Sequence, residues 1–427
     1  MIVIIGLFLG LIALMILGFP MVFAIAIPSF LATLYLGVPP VSLITMMFSG
    51  VDSFALMAIP FFILAGNLME EAGITKRIVD FANIVVGRMP GGLGQVNIAG
   101  SMVLSGISGS GVSDAAAIGS LTIPPMLRQG YHKDFAVCVT ACAASMGPII
   151  PPSIAMILYC YYTNVSVGAM FVGGAVPGVL IGLGLMALTY YVSVRRGYVF
   201  KSAPPSFADV ILATRRASIA LMMPFVIIGG IISGVFTATE SGVIAVVYAL
   251  TYGLLISRTI SIRRLAPILL EAAVLTSVVL FIVACSTIFG NVLSRVGFQS
   301  FVVGSFALID HDVMRILAIM AVLLLLGLFI DPVVLILMFA VPLAAVGAEM
   351  GYHPIHFGVW FIIVTLYGAV TPPVGTILYV AMSIANAKVD EVVGLLVPYM
   401  AVLILVAILV LFIPELTLWL PRFVGLL

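Results

Sequence analysis

The amino-acid sequence predicts an all-α polytopic membrane protein built from two inverted-topology repeats, each with a re-entrant hairpin and a broken helix. Of its 427 residues, 63% are hydrophobic and only 8% are charged, whereas a soluble domain carries roughly 25% charged residues. Apolar runs near the ~20 residues that cross a bilayer follow one another with short breaks, as at 1–20, 167–194 and 392–413. Because they do not alternate like the ~10-residue strands of a membrane barrel, we expect helices.

Short motifs rich in glycine and proline recur in the same order at a nearly constant separation, which indicates a duplicated chain. The clearest pairs are Gly66-Asn67 with Gly290-Asn291, Gly147-x-x-x-Pro151-Pro152 with Gly368-x-x-x-Pro372-Pro373, and Gly173-x-x-Val176-Pro177 with Gly394-x-x-Val397-Pro398. Each match is weak alone, but the shared order predicts two structural repeats.

The distribution of basic residues favours inverted over parallel repeats, because cytoplasmic loops are enriched in Lys and Arg. The basic residues that flank the first hairpin segment are Lys76, Arg77, Arg88, Arg128 and Lys133. The matching stretch of the second half carries only Arg295 and Arg315. We therefore expect the first hairpin at the cytoplasmic face and the second at the outer face.

These observations divide the chain into five regions. We expect N-terminal scaffold helices at 1–50, repeat 1 at 51–194, a central cytoplasmic linker with scaffold helices at 195–265, repeat 2 at 266–412, and a C-terminal tail at 413–427. Within repeat 1 we expect an amphipathic arm helix at 74–89, a hairpin at 90–127 and a broken helix at 134–160. Within repeat 2 we expect a hairpin at 313–349 and a broken helix at 355–382.

The two predicted hairpin tips interrupt apolar segments with residues that disfavour a continuous helix. The first tip runs from Ser105 to Asp114 and is rich in Gly and Ser, and the second runs from Gly327 to Pro332. Backbone groups freed inside a bilayer cost several kcal/mol each unless they are satisfied. Since hard cations prefer oxygen ligands, a desolvated cation could satisfy the carbonyls. Asp114 and Asp331 are expected to begin the returning helices, where a carboxylate suits the helix N-terminus.

The second kind of break is a pair of prolines in the middle of an apolar segment. Pro151-Pro152 and Pro372-Pro373 remove backbone donors and stop the helix, so that carbonyls one turn earlier become candidate ion ligands. The alternative is a proline kink packed by neighbouring helices. Two related breaks, each paired with a hairpin, favour the functional interpretation, since inverted repeats with broken segments usually mark a transport site.

Two further acids, Asp52 and Glu240, lie in apolar surroundings and are expected to be buried. Carboxylates inside a membrane are costly and are usually functional or paired. Glu240 follows Thr237 at a predicted helix start, so its alternative is a capping role in the scaffold.

At these motifs the sequence resembles the large membrane subunit, of the DctM or SiaM type, of the TRAP transporters, which are tripartite ATP-independent periplasmic systems. The segments that carry the resemblance are Ile59–Gly66, Ser108–Gly111, Gly147–Ser153, Phe236–Glu240 and Gly368–Pro373. One departure is Ala238, where relatives often have proline; it puts a scaffold turn in doubt and not the inferred site.

The resemblance implies a sodium-coupled, elevator-type importer of organic anions such as C4-dicarboxylates or sialic acid, in the bacterial inner membrane. It also implies a small four-helix membrane subunit of the DctQ type and a soluble periplasmic binding protein as partners. The implied sodium ligands are Ser108, Ser110, Gly147, Ile150 and Pro151 at one site and Gly327, Gly368 and Thr371 at a second. The residues expected near the substrate are Ser113, Asp114, Asp52, Asp331, Pro152, Pro373 and Thr376.

Other function classes fit the sequence less well. An ATP-driven pump is disfavoured because no phosphate-binding loop motif occurs. Gly106-Ile107-Ser108-Gly109 matches a pattern of intramembrane serine proteases, but that chemistry needs a base close to Ser108. An ion channel is the remaining alternative. We expect no enzyme activity, no organic cofactor, no transition metal and, at a net charge of +1, no nucleic-acid partner.

Overall fold

The computed structural model describes residues 2–198 and 207–427, and within those ranges every regular element is helical. The helices of the first half are α1 (Ile2–Ile16), α2 (Met21–Tyr35), α3 (Pro40–Val51), α4 (Ala58–Glu71), α5 (Ile74–Val86), α6 (Gly92–Ser108), α7 (Gly111–Arg128), α8 (Lys133–Ala144), α9 (Ile154–Thr163) and α10 (Val167–Arg195). Those of the second half are α11 (Phe207–Ile232), α12 (Ala238–Thr251), α13 (Ile262–Arg295), α14 (Phe298–Ala307), α15 (Asp312–Gly327), α16 (Pro332–Glu349), α17 (Pro354–Tyr367), α18 (Thr376–Ala385), α19 (Val389–Phe412) and α20 (Glu415–Phe423).

Within residues 2–198 and 207–427, five helices are long and apolar enough to cross a bilayer: α10, α12 with its π-helical extension to Ile256, α13, α16 and α19. Several shorter apolar helices lie between them. Long apolar side chains such as Ile2, Phe225 and Leu255 cover the outside of the molecule, where a soluble protein would carry charge. The prediction of an all-α polytopic membrane protein is therefore confirmed.

Two pairs of helices turn back on themselves at tight corners. Helices α6 and α7 are joined by Gly109 and Ser110, and α15 and α16 by residues 328–331. Gly109 has a φ of 62°, a backbone conformation in which glycine avoids the clash that a side chain would cause. These corners are the tips of hairpin 1 (α6 and α7) and hairpin 2 (α15 and α16).

Two apolar segments are broken by prolines. Helix α8 ends at Ala144 and α9 begins at Ile154; we call residues 145–153 break 1. Helix α17 ends at Tyr367, a 3₁₀ turn covers Gly368–Val370, and α18 begins at Thr376; we call residues 368–375 break 2. The peptide bonds between the two prolines of each break are cis.

The helices occur in a matching order in the two halves. A short helix, a hairpin, a broken helix and a long helix follow one another from α5 to α10 and again from α14 to α19. That the second set is inverted relative to the first stays a prediction, which depends on the motifs and on the basic residues. Of the predicted central linker, residues 199–206 lie outside the described part of the chain.

An aromatic and ionic cluster holds the end of α10 against the start of α8. Arg196 donates two hydrogen bonds of 2.8 Å to Asp134. The buried Tyr198 ring lies 4.6 Å from Tyr131 and 5.2 Å from Phe135, measured between centroids. Aromatic and bidentate contacts of this kind fix the relative position of two helix ends.

Candidate functional site

Hairpin 1 places a buried carboxylate directly behind its tip. Ser110 is the N-cap of α7, and its side chain accepts a hydrogen bond from the Ser113 backbone N–H at 3.5 Å. One turn into the helix, Asp114 is fully buried. The Ser108 hydroxyl donates to Asp114 Oδ1, and the Ser105 hydroxyl lies 3.0 Å from Oδ2. A negative charge in the first turn of a helix is favourable, so α7 and two hydroxyls hold this carboxylate in place.

The tip of hairpin 1 packs against break 1 so closely that side chains are excluded. A Cβ added at Gly147 would lie 2.7 Å from Asp114 Oδ2 and 2.9 Å from the Gly111 nitrogen. A Cβ at Gly109 would lie 2.6 Å from the Pro152 carbonyl oxygen. A real Cβ atom essentially never lies within 3.0 Å of another heavy atom, so only glycine at these positions allows the direct backbone contact. The contact brings carboxylate, hydroxyl and carbonyl oxygens into one small region.

Hairpin 2 meets break 2 in the same manner. A Cβ at Gly368 would lie 2.4 Å from the carbonyl oxygen of Gly327, and a Cβ at Gly327 would lie 3.0 Å from Gly368 Cα. The Val374 N–H donates to the Leu328 carbonyl at 3.3 Å. Each break is thus in direct backbone contact with the tip of the hairpin that precedes it in the chain.

Helix caps position the polar groups of the second half. Asp331 is the N-cap of α16 and accepts a hydrogen bond of 2.9 Å from the Val333 N–H. The Thr371 hydroxyl donates to the Tyr367 carbonyl at 2.8 Å. Its oxygen lone pairs remain as acceptors, which is what a cation ligand requires.

Both hairpin tips and both breaks line one cavity of about 160 Å³. Four helices contribute their first two residues to its wall: Gly111 and Val112 of α7, Ile154 and Ala155 of α9, Pro332 and Val333 of α16, and Thr376 and Ile377 of α18. Each of these N-termini carries the positive end of a helix dipole. Those of α7, α9 and α18 also have N–H groups without an intrahelical partner, whereas at α16 Pro332 has no N–H and the Val333 N–H is bonded to Asp331. The convergence of the four N-termini favours an anion in the cavity.

Several residues expected at the site do lie there. Ser110, Asp331 and Thr376 line the cavity. Other expected residues form the tip-and-break contacts just described, namely Ser108, Asp114, Gly147, Gly327 and Gly368. Thr371 lies within break 2, four residues after Tyr367, to which it is hydrogen-bonded. The structure therefore brings most of the expected residues together, while their role as ligands stays a prediction.

Other expected residues lie elsewhere. Among the residues that the structure describes, Ser113, Pro152 and Pro373 are not part of the cavity wall. The Ile150 side chain packs against α10, since a Cβ added at Gly178 would lie 2.4 Å from Ile150 Cγ1. A Cβ added at Gly106 would lie 3.7 Å from the Pro151 carbonyl oxygen. The expected roles of Ile150 and Pro151 therefore depend on their main-chain oxygens.

The expectation that Asp52 and Glu240 are buried is wrong. Asp52 follows the last residue of α3 and is exposed, and it is not part of the described cavity wall. Glu240 is exposed and forms a capping box with Thr237, whose N–H donates to the Glu240 carboxylate at 2.7 Å. Both acids lie at helix ends, where the chain reaches the surface of the molecule. The scaffold-capping alternative for Glu240 is confirmed.

Apolar residues of the cavity wall were not identified from the sequence. Val112 and Val333 could have been found, because Val112 lies within the first predicted tip and Val333 directly follows the second. Val279 could not, since it lies in the middle of α13, far from any glycine or proline that would mark a break. It brings a third element to the wall, beside the hairpins and the broken helices.

Comparison with known proteins gives consistent matches along the chain. A protein-family model described as "Tripartite ATP-independent periplasmic transporter, DctM component" matches residues 8–416. The sialic acid TRAP transporter large permease protein SiaM of Vibrio cholerae is 38% identical over 89% of this chain and 89% of its own length. The C4-dicarboxylate TRAP transporter large permease protein DctM of Pseudomonas aeruginosa is 34% identical over 90% of both chains. The isethionate TRAP transporter permease protein DctMQ of Oleidesulfovibrio alaskensis is 33% identical over 94% of this chain, which spans 63% of that protein.

Proposed function

Because the chain belongs to the DctM component family of the tripartite ATP-independent periplasmic transporters, we propose that it imports an organic acid anion in symport with sodium ions. In this proposal it is the large permease of a bacterial inner-membrane system. A small four-helix membrane subunit and a soluble periplasmic binding protein complete the system. The family is one of transporters and not of enzymes, so the protease interpretation of Ser108 is set aside.

The convergence of four helix N-termini on one cavity carries this proposal. Among the described residues no Lys or Arg lines the cavity, so the N-termini of α7, α9, α16 and α18 are its source of positive potential. In transporters with inverted repeats, half-helix N-termini commonly face the anionic group of the substrate. A carboxylate at this point would accept hydrogen bonds from free backbone N–H groups.

Sodium ions would offset the negative charge that two carboxylates place at the anion site. Asp331 lines the cavity, and Asp114 lies directly behind the first tip. Two carboxylates in a low-dielectric region would repel an anionic substrate. A cation between each carboxylate and the nearby carbonyl and hydroxyl oxygens would neutralise that charge. Sodium binding before the substrate would then be required for tight anion binding, which is the basis of obligatory coupling.

The substrate is an organic acid. The relatives are named for sialic acid, for C4-dicarboxylates and for isethionate. A cavity of 160 Å³ is small beside the roughly 300–1,000 Å³ of typical ligand pockets. The size favours a small acid, whereas the 38% identity to a sialic acid permease favours a sugar acid. Competition of labelled uptake by C4-dicarboxylates, isethionate and sialic acid would decide between them.

Movement of the site would carry the substrate across the membrane. We propose that the two hairpins and the two broken helices move as one elevator-like body, since each tip is in direct backbone contact with a break. Helix α13 would belong to the static scaffold and would cover the cavity through Val279.

Substitution of Thr371 tests the sodium site. We expect Thr371→Val to raise the sodium concentration for half-maximal uptake about tenfold, because the loss of one ligand oxygen costs about 1.4 kcal/mol or more. Thr371→Ser keeps the hydroxyl and should behave like the wild type. The measurement is uptake of labelled acid into proteoliposomes that contain the small subunit, with binding protein added outside.

Two outcomes would count against this function. Equal sodium dependence of the Val and Ser variants would exclude Thr371 as a ligand. Uptake that persists when neither a sodium gradient nor binding protein is present would indicate a channel instead.

A further inference from the structure

The C-terminal helix α20 begins where a membrane-spanning helix ends. Helix α19 has 24 residues, is apolar enough to cross a bilayer and ends at Phe412. Helix α20 starts three residues later, at Glu415, and continues to Phe423. Its nine residues extend about 14 Å. Because only two residues separate α19 from α20, α20 lies close to the depth at which the chain leaves the hydrocarbon.

Helix α20 has three distinct faces. At roughly 100° per residue, Thr417, Leu418 and Pro421 share one face, and this face is buried against the protein. A second face carries charge, where Arg422 donates to Glu415 at 2.6 Å. Residues 416, 419, 420 and 423 form the third face, which is apolar.

The apolar face carries two large aromatic side chains that do not pack into the protein. Trp419 is 55% exposed and Phe423 is 76% exposed. Their rings stack with centroids 5.8 Å apart. An amphipathic helix with an aromatic face beside a charged face is typical of segments that lie in a membrane interface, and tryptophan is enriched there.

We propose that α20 is an interfacial anchor that lies in the headgroup region, with Trp419 and Phe423 inserted among the lipids. The exposed apolar surface continues from α19, where Leu409, Phe412 and Ile413 are 37%, 50% and 44% exposed. The surface of a spanning helix that remains exposed in this way faces lipid. Because α20 follows within three residues, its aromatic face extends the same apolar surface.

The anchor is connected to the transport site through α17. His356 of α17 is buried, with Nδ1 2.8 Å from the Thr417 hydroxyl and Nε2 3.2 Å from the Leu411 carbonyl oxygen. Helix α17 ends at Tyr367, next to break 2. A buried, hydrogen-bonded contact therefore joins α20 to the helix that leads to break 2.

Fluorescence of Trp419 tests the proposal, because the chain contains only two tryptophans and Trp360 is fully buried. In proteoliposomes of the Trp360→Phe variant, lipids brominated near the headgroup should quench Trp419 strongly. Lipids brominated near the end of the acyl chain should quench it weakly. The Trp419→Phe variant retains Trp360 and should show little quenching by either lipid.

Strong quenching by aqueous iodide with none by brominated lipid would overturn the proposal. If added binding protein then removed the iodide quenching, the face would instead be a protein-docking surface. A second reporter covers the case in which Trp360→Phe does not fold. An environment-sensitive dye on Phe423→Cys should report an apolar, lipid-quenched position, and the four native cysteines are buried and thus react poorly.

Discussion

Two glycines, Gly327 and Gly368, lie backbone to backbone where hairpin 2 meets break 2. No other residue fits, because a Cβ on either would come within 3.0 Å of a main-chain atom of the other. Main-chain atoms cannot rotate away as a flexible side chain can. The close contact therefore requires these two residues, and it places the Gly327 carbonyl oxygen against the Gly368 backbone.

Gly368→Ala should separate hairpin 2 from break 2. The added Cβ would lie 2.4 Å from the Gly327 carbonyl oxygen, and overpacking of this kind costs about 1–3 kcal/mol. We expect a lower melting temperature in detergent and loss of sodium-dependent uptake. Gly394→Ala is the matched control, since a Cβ there meets nothing within 4 Å. Equal effects of the two substitutions would show that the contact has no special role.

Glycine and proline motifs predicted where the helices break, whereas acidic residues did not reveal which of them are buried. The breaks that begin near Gly147 and Gly368 follow from the proline pairs after them, since proline stops a helix wherever it occurs in the middle of one. Burial of a carboxylate depends on which other helices cover it, and the sequence does not state that. Asp52 and Asp114 both lie in apolar surroundings in the sequence, yet only Asp114 is covered by neighbouring helices.

Helices α6, α7 and α8 are joined by a buried polar network. The Asn97 side-chain NH₂ donates to Thr122 Oγ1 at 2.7 Å and to Thr140 Oγ1 at 2.8 Å. Each threonine hydroxyl in turn donates to a carbonyl four residues earlier in its own helix. Since Asn97 is fully buried, its bonds form in a low-dielectric region. Hydrogen bonds there are strong and costly to leave unmade.

Asn97→Ala should loosen hairpin 1 from α8. Two buried hydrogen bonds are lost, at about 0.5–1.5 kcal/mol each, and a small cavity is created. We expect a lower melting temperature in thermal unfolding and faster proteolysis in the α6–α7 hairpin. Asn83→Ala, at an exposed position of α5, is the control and should melt like the wild type. An unchanged melting temperature for Asn97→Ala would contradict the network's role.

The existence of helices was predictable from hydropathy, but their partners were not. Apolar runs predicted the helices and proline pairs predicted where they break, because both are local properties of the chain. The Asn97 network joins three helices through one side chain, and nothing in the spacing of Asn97, Thr122 and Thr140 indicates it. Packing between helices depends on their relative rotation, which a uniformly apolar sequence leaves open.

The whole molecule gathers four chain interruptions around one small volume. A continuous helix satisfies its own backbone hydrogen bonds, whereas each break in the bilayer leaves groups that cost several kcal/mol unless they are satisfied. Four breaks therefore indicate that the freed groups have a function. Here the freed groups of four helix starts and two breaks face a common cavity. The four interruptions meet at this cavity, and Val279 of α13, which the sequence did not indicate, completes its wall.

Cross-linking of the two hairpin tips tests whether they line one shared cavity. Val112 and Val333 both line the cavity, and the native cysteines are buried. In the Val112→Cys, Val333→Cys double variant, mild oxidation or a short bis-thiol reagent should join the tips within one chain and block uptake reversibly. The single variants should remain uncross-linked and active. Failure of the double variant to cross-link in folded, transport-competent protein would contradict a shared cavity.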